Sequence, residues 1–169
     1  MLIRNILEES VRKFDEVKAV KWLKKKEIME RSYGELMENV VSTRKGLLAE
    51  GFEGKHIALI GTSSVEWMES YLGIITGCTT AVPLDAALPC EDLIDLLNRS
   101  DSVALFLSPK LKPYLDAFLE NCPKLQKVWM LQEEVEDAPA KVYGIGELRN
   151  AGKSASADSV CPAAEDIAT

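Results

Sequence analysis

The residues of this chain that could perform chemistry are few and lie far apart in the sequence. His56 is the only histidine, so a histidine-based triad or a multi-histidine metal site is excluded within the chain. The cysteines contain no C-x-x-C pair, and the sequence therefore supports neither a zinc site nor a disulfide framework. Three carboxylates, Glu91, Asp92 and Asp95, fit the exposed face of a helix better than an acid–base pair. We predict no catalytic residue and no metal site in this chain.

A serine-rich turn follows the predicted strand His56–Ile60. Gly61-Thr62-Ser63-Ser64 enters a helix, and backbone amides at a helix start, together with hydroxyls, can hold an anion. The simpler interpretation is that Ser63 or Ser64 caps the helix, and Ser63-Ser64-Val65-Glu66 fits a capping box. Neither G-x-G-x-x-G nor G-x-x-x-x-G-K-[ST] occurs in the chain, so no nucleotide-binding motif of those types is present.

Two further loops follow predicted strands. In Asp85-Ala86-Ala87-Leu88-Pro89 the small side chains would let a flat ligand approach the backbone, although the loop could simply lead into the next helix. Ser108-Pro109-Lys110 could supply polar ligand contacts, but it also fits a helix start with proline in the first turn. Each loop therefore has both a binding and a purely structural interpretation.

The alternation of strands and helices predicts how these loops are positioned. Single helices between short apolar strands imply a parallel sheet with right-handed crossovers. We therefore predict an α/β fold: a doubly wound, mostly parallel sheet flanked by helices, with ligands expected at the carboxyl ends of the strands. The predicted strands are His56–Ile60, Thr79–Leu84, Val103–Leu107 and Val128–Leu131, and the helices between them end near Ile75, Arg99 and Asn121.

An N-terminal helix and hairpin precede this core. Ile3–Phe14 has the apolar spacing of an amphipathic helix. Val17–Trp22 and Glu27–Arg31 are predicted strands, joined by Lys24-Lys25-Lys26, which favours a solvated turn over an anion site. Ser32-Tyr33-Gly34-Glu35 fits a capping box that opens a helix to about Glu50. The three tryptophans, Trp22, Trp67 and Trp129, are expected in the core.

The domain boundaries follow from these elements. Residues 1–150 are predicted to form one α/β subdomain, with helix and hairpin at 1–31, the βα core at 32–131, and an acidic loop and short helix at 132–150. The short helix is expected at Gly146–Asn150. Residues 151–169 are predicted to be a flexible connector, because 151–164 are rich in Ala, Ser and Gly.

Composition excludes several classes of protein. The chain has 169 residues, of which 47% are hydrophobic and 28% charged, too apolar for a largely disordered protein. Its formal net charge of −7, with no dense basic face, disfavours nucleic-acid binding. The longest uncharged run, Ser70 to Leu84, is too short and too interrupted to be a transmembrane segment. The absence of a signal peptide and the scattered cysteines favour a reducing, cytoplasmic location.

The order of the short motifs resembles the N-terminal region of acyl-CoA synthetases in the adenylate-forming (AMP-binding) superfamily, most of all the long-chain fatty-acid branch. The resemblance extends over the whole chain from about residue 3. The pieces that carry it are Ser32-Tyr33-Gly34-Glu35-Leu36, Gly61-Thr62-Ser63-Ser64-Val65-Glu66-Trp67, the segment from Gly73 to Leu84, Leu88-Pro89-Cys90-Glu91-Asp92-Leu93, and Asp166-Ile167-Ala168-Thr169.

The resemblance implies the first subdomain of the acetyl-CoA synthetase-like fold and a parent enzyme that is an AMP-forming ligase. Such an enzyme converts a fatty acid and ATP to acyl-AMP and pyrophosphate, and then transfers the acyl group to coenzyme A with release of AMP. In the family, a phosphate-binding loop follows the Asp-Ile-Ala-Thr piece, and our sequence ends before it. We therefore expect an inactive fragment without cofactors of its own, whose partners are the ATP-binding subdomain and C-terminal lid of its own polypeptide. ATP, Mg and coenzyme A are the cofactors of the full-length enzyme.

The resemblance also assigns a place to Asp85, Ala86 and Ala87. In acetyl-CoA synthetases this loop lies near the nucleotide end of coenzyme A. The alternative to a ligase fragment is a self-contained, non-enzymatic α/β binding module such as a receiver-like domain. A receiver would need acidic residues after its first sheet strand, where this chain has Gly61-Thr62-Ser63.

Overall fold

The computed structural model describes residues 2–132, 134–156, 158, 163, 168 and 169. The chain starts with helix α1, continues through a hairpin and helix α2, and then alternates strands with helices. The elements are α1 (Ile3–Phe14), β1 (Lys18–Lys24), β2 (Glu27–Ser32), α2 (Tyr33–Ala49), β3 (His56–Ile60), α3 (Val65–Ile75), β4 (Thr80–Leu84), α4 (Cys90–Arg99), β5 (Ala104–Leu107), a 3-10 helix (Pro109–Tyr114), α5 (Leu115–Asn121), β6 (Lys127–Met130), β7 (Val142–Gly144) and α6 (Ile145–Ser154).

Five strands form one parallel sheet in the order β4-β3-β5-β6-β7. The predicted parallel α/β fold is therefore confirmed, with predicted and observed strand ends differing by no more than one residue in β3 to β6. Strand β7 was not predicted, because its three residues are too few to show a periodic pattern. The long helix predicted before Asn121 begins as a 3-10 helix, which contains Pro113, and becomes α-helical only at Leu115.

Both faces of the sheet are covered, as a doubly wound sheet requires. On β3, alternate side chains such as Leu59 and Ile60 enter two separate cores. One core packs against α2, α3 and α6 and includes Phe106 and Trp129. The other packs against α4 and α5 and includes Leu93 and Phe118. The central strands are buried from both sides, which explains their continuous apolar sequences.

Helices α2 and α6 pack with their backbones in contact through two glycines. A Cβ at Gly152 would lie 2.7 Å from the Gly46 backbone nitrogen and still closer to the Ser42 carbonyl oxygen. The prediction of a connector from residue 151 is wrong for 151–154, which belong to α6. The small residues that suggested flexibility instead allow this close packing.

The rest of the predicted connector lies mostly outside the described residues, namely 157, 159–162 and 164–167. Asp158 and Ala168, which are described, contact the domain. The carboxylate of Asp158 accepts two hydrogen bonds from Arg44, at 2.8 and 2.6 Å. The carbonyl of Ala168 accepts a hydrogen bond from the Ala81 N–H on β4, at 2.8 Å.

The hairpin forms a separate two-stranded antiparallel sheet. Lys25 and Lys26 form its turn with positive φ angles of 48° and 73°, and both are exposed, as predicted for a solvated turn. The prediction that Trp22 lies in the core is wrong. Its side chain belongs to neither core and lies half-buried beside the Arg31 guanidinium, 5.4 Å from the centre of the ring. Trp129 is in the core as predicted.

A charged cluster that the sequence analysis missed lies between α3, β2, α2 and α6. The side chain of Glu69 is completely buried, and it accepts hydrogen bonds from Arg31, from Asn39 at 3.1 Å and from Arg149 at 2.9 Å. Arg149 also donates to the Thr43 hydroxyl at 3.4 Å. These residues are far apart in the sequence, and only the fold brings them together.

Candidate functional site

The three loops singled out from the sequence meet at one edge of the sheet. Ile60 pairs with Leu84 on one side and with Leu107 on the other, so strands β3, β4 and β5 end side by side. The loops 61–64, 85–89 and 108 therefore adjoin, as expected for the carboxyl ends of parallel strands. We refer to them together as the carboxyl edge.

The serines of the first loop have a structural role. Ser64 is the N-cap of α3, and its hydroxyl accepts the Trp67 N–H at 3.1 Å. The predicted capping box of Ser63 with Glu66 is wrong, because the helix begins one residue later and Trp67 occupies the third helical position. Capping itself is confirmed, and the Ser64 hydroxyl is engaged within its own turn, which favours the cap over an anion site.

This arrangement predicts different effects for two adjacent serines. Ser64→Ala should lower the free energy of unfolding by about 1 kcal/mol, because one amide at the start of α3 loses its partner. Ser63→Ala is the matched control and should change the free energy by less than about 0.5 kcal/mol, since Ser63 is exposed and is not the cap. Urea denaturation of both variants measures the difference. Equal effects would contradict the assignment of Ser64 as the cap.

Gly61 brings the base of the carboxyl edge into close contact. A Cβ there would lie 3.0 Å from Ser108, 3.2 Å from the Trp67 ring and 3.3 Å from Leu131. Trp67 in turn stacks on Tyr71, with ring centroids 5.4 Å apart, and packs against the core as predicted. The Trp67 Nε1 atom is buried and has no hydrogen-bond partner among the described residues.

The second loop is held by its own aspartate. The Asp85 carboxylate accepts the Ala87 N–H at 2.9 Å, and the Asp85 carbonyl accepts the Leu88 N–H at 3.2 Å. Asp85 and Ala87 are exposed, whereas Ala86 is half-buried and packs against the core that covers α4 and α5. The loop thus has a fixed backbone and presents the small side chain of Ala87 to solvent.

The third loop and the nearby thiol offer little reactive chemistry. Ser108 is buried, and Pro109 stands in the first turn of the 3-10 helix, as the structural interpretation predicts. Burial raises the pKa of the Cys90 thiol, and the neighbouring Glu91 carboxylate raises it further. The pKa of Cys122 is raised as well, first by burial and then by Cys90. Both thiols are therefore protonated at neutral pH and are weak nucleophiles.

The described residues also bear on metals, clefts and membrane spans. No three His, Cys, Asp or Glu side chains among them come close enough to hold a metal ion. His56 lies at the start of β3, where its Nδ1 is 2.7 Å from the Ser100 carbonyl oxygen. A cleft of about 330 Å³ is lined by Asp15, Lys18, Ser32 and Gly34, among others, and by no residue of the carboxyl edge. Within the described part of the chain, no helix has the length and apolar character needed to cross a bilayer.

Comparison with known protein families identifies the fold. The sequence profile described as AMP-binding enzyme matches residues 7–169. The chain belongs to the AMP-binding enzyme family. No match was found among curated proteins.

Solved structures of AMP-binding enzymes share this fold. An anthranilate CoA ligase bound to anthranoyl-AMP matches with a TM-score of 0.84 and 16% identity, over 99% of this chain and 31% of that one. Coronafacic acid ligase from Pectobacterium brasiliense matches with a TM-score of 0.79 and 18% identity, over 100% of this chain and 31% of that one. A protein described as a long-chain-fatty-acid CoA ligase from Rhodopseudomonas palustris matches with a TM-score of 0.77 and 11% identity, over 96% of this chain and 38% of that one. The chain thus has the fold of the N-terminal subdomain of adenylate-forming enzymes and spans about a third of the length of these structures.

Proposed function

We propose that this chain is the N-terminal subdomain of an AMP-forming acyl-CoA ligase that activates long-chain fatty acids. The observation that carries the ligase part of the proposal is the family match over residues 7–169, and the resemblance of the sequence motifs to the long-chain branch supports the substrate class. The reaction would join a carboxylate to ATP with release of pyrophosphate, and coenzyme A would then displace AMP. The proposed location is the reducing cytoplasm, which fits the free thiols of Cys78, Cys90 and Cys122.

In this proposal the chain supplies a scaffold, and the ATP phosphates are held by another part of the parent enzyme. The Ser64 hydroxyl and the Asp85 carboxylate are both engaged in local turns. The described carboxyl edge therefore does not fit ATP phosphates by itself, since transition-state stabilisation needs converging donors and positive charge. Nothing in the described part of the chain favours the receiver-like alternative.

We further propose that Asp85, Ala86 and Ala87 lie beside coenzyme A in the assembled enzyme. Two features support this. The backbone of the loop is fixed by the Asp85 carboxylate, and the exposed Ala87 side chain leaves room for a ligand to approach. The loop would position the nucleotide end of coenzyme A and would take no part in bond making.

The experiment compares the 169-residue chain with the longer polypeptide encoded by its parent reading frame. The longer protein should release pyrophosphate when given ATP, Mg and a long-chain fatty acid, and the chain alone should release none above the blank. ATP should leave the melting temperature of the chain unchanged, because a ligand without a native-state site cannot stabilise the fold. Turnover by the chain alone would overturn the scaffold role, and a longer protein that activates only small aromatic acids would overturn the substrate class.

The same longer enzyme tests the loop. Ala87→Glu places a negative charge and a larger side chain beside the proposed coenzyme A site, so the KM for coenzyme A should rise while the KM for ATP stays constant. Glu53→Ala, an exposed change before β3, is the control. An unchanged KM for coenzyme A in the Ala87→Glu variant would contradict the assignment.

A further inference from the structure

The tip of the β1–β2 hairpin combines exposed apolar side chains with lysines. Every residue from Leu23 to Glu30 is exposed. Leu23 and Ile28 are 71% and 73% exposed, the highest values among the exposed large apolar residues of the described chain. They pair directly across the two strands and so lie side by side on one face. The result is a small apolar spot that the described parts of the chain leave uncovered.

The hairpin that carries this apolar spot has an excess of positive charge. Residues 18–31 contain six basic and two acidic side chains, so the hairpin is net positive in a chain with a formal net charge of −7. Glu30 is already paired with Lys18 and Lys21, at 3.4 and 3.3 Å. Lys24, Lys25 and Lys26 form no ion pair with any described residue and follow Leu23 directly.

We propose that this hairpin tip, residues 23–28, docks the protein on a bilayer that contains anionic lipids. Leu23 and Ile28 would enter the interfacial region, while the three lysines would lie among the negative headgroups with their aliphatic stems along the acyl boundary. A cluster of lysines beside an apolar anchor is the combination that gives reversible binding to an anionic surface. The negative charge of the rest of the molecule opposes this only weakly beyond a Debye length of about 8 Å.

The size of the spot favours a bilayer over a protein partner. Stable protein interfaces bury about 1,200–2,000 Å², which two side chains on a narrow ribbon do not approach. Lysines at exposed strands also prevent pairing with other chains, but that role does not require two exposed apolar residues beside them. The proposal is independent of the ligase activity, so the two can fail separately.

The test is co-sedimentation of the 169-residue chain with lipid vesicles. Binding is expected to vesicles of phosphatidylcholine with phosphatidylglycerol and not to phosphatidylcholine alone, and it should weaken with added salt. The triple variant K24Q/K25Q/K26Q should bind on the order of a hundredfold more weakly, from about fivefold for each lysine. The control K55Q/K110Q/K112Q removes the same charge from exposed lysines elsewhere and should bind within about twofold of the unchanged chain.

A second variant tests the apolar contribution. Leu23→Thr with Ile28→Thr keeps strand propensity and a cross-strand pair, so the hairpin should still form, yet binding should fall roughly tenfold. Circular dichroism and thermal unfolding check that both variants remain folded. Failure of the unchanged chain to bind anionic vesicles would overturn the proposal. An equal loss of binding in K24Q/K25Q/K26Q and in the control K55Q/K110Q/K112Q would overturn it as well. Self-association that is lost in the threonine variant, without vesicle binding, would identify a second copy as the partner instead.

Discussion

Replacing Glu69 with alanine should lower the free energy of unfolding by about 3–5 kcal/mol. The side chain is fully buried and accepts hydrogen bonds from Arg31, Asn39 and Arg149. Its removal would take away the buried carboxylate to which the guanidinium of Arg149, whose side chain is only 4% exposed, donates at 2.9 Å. Taking a buried charge away from its counter-ion costs much more than the pair contributes, because the remaining charge stays out of water.

The matched control is Glu38→Ala on the surface. Glu38 also links α2 to α6, through a 2.7 Å ion pair with Lys153, but both side chains are at least half exposed. Its loss should cost no more than about 1 kcal/mol. Guanidinium denaturation of both variants gives the comparison. If Glu69→Ala costs no more than Glu38→Ala, the buried cluster is not a major source of stability.

Gly152→Ala should destabilise the fold by roughly 3 kcal/mol, although alanine is the better helix former. Propensity alone would make the change favourable by up to about 1 kcal/mol. The added methyl group would, however, overlap the Ser42 carbonyl oxygen and lie 2.7 Å from the Gly46 nitrogen, both backbone atoms. Since backbone cannot rotate away as a side chain can, α6 must move off α2, and packing is lost along both helices.

Whether Gly152→Ala lowers or raises the free energy of unfolding decides this prediction. Asn150→Ala, at an exposed position of the same helix, is the control for propensity and should be neutral or slightly stabilising. Thermal and urea unfolding of the two variants are the measurements. A stabilised Gly152→Ala protein would show that α2 and α6 do not pack as closely as the structure has them.

The parallel fold could be predicted because its signals are local. Each strand from β3 to β6 is a short apolar run, and helices of ordinary length separate them. The Ser32–Glu35 capping box was predicted correctly, since both of its hydrogen bonds join residues three apart. The prediction that Ser63 or Ser64 caps α3 is confirmed for Ser64, whereas the capping box of Ser63 with Glu66 was placed one residue too early, since adjacent serines offer two similar caps in the sequence.

The features that escaped prediction depend on distant parts of the chain. Nothing near Glu69 in the sequence indicates that Arg31 and Arg149 will surround it. Residues 151–154 have the composition of a linker, and they become helical because Gly152 fits against α2. At the carboxyl edge, the predicted parallel strands are confirmed and bring the three loops together, while the role of Asp85, Ala86 and Ala87 beside coenzyme A stays a prediction.

The contact between Gly46 and Gly152 also has a consequence for synthesis on the ribosome. The two glycines are separated by about a hundred residues, so α2 leaves the ribosome several seconds before its partner at typical elongation rates. During that delay the face of α2 that will receive α6, including Ser42 and Gly46, remains uncovered. A nascent chain of this kind would be expected to recruit chaperones until residue 152 has emerged, and to complete its folding late rather than progressively.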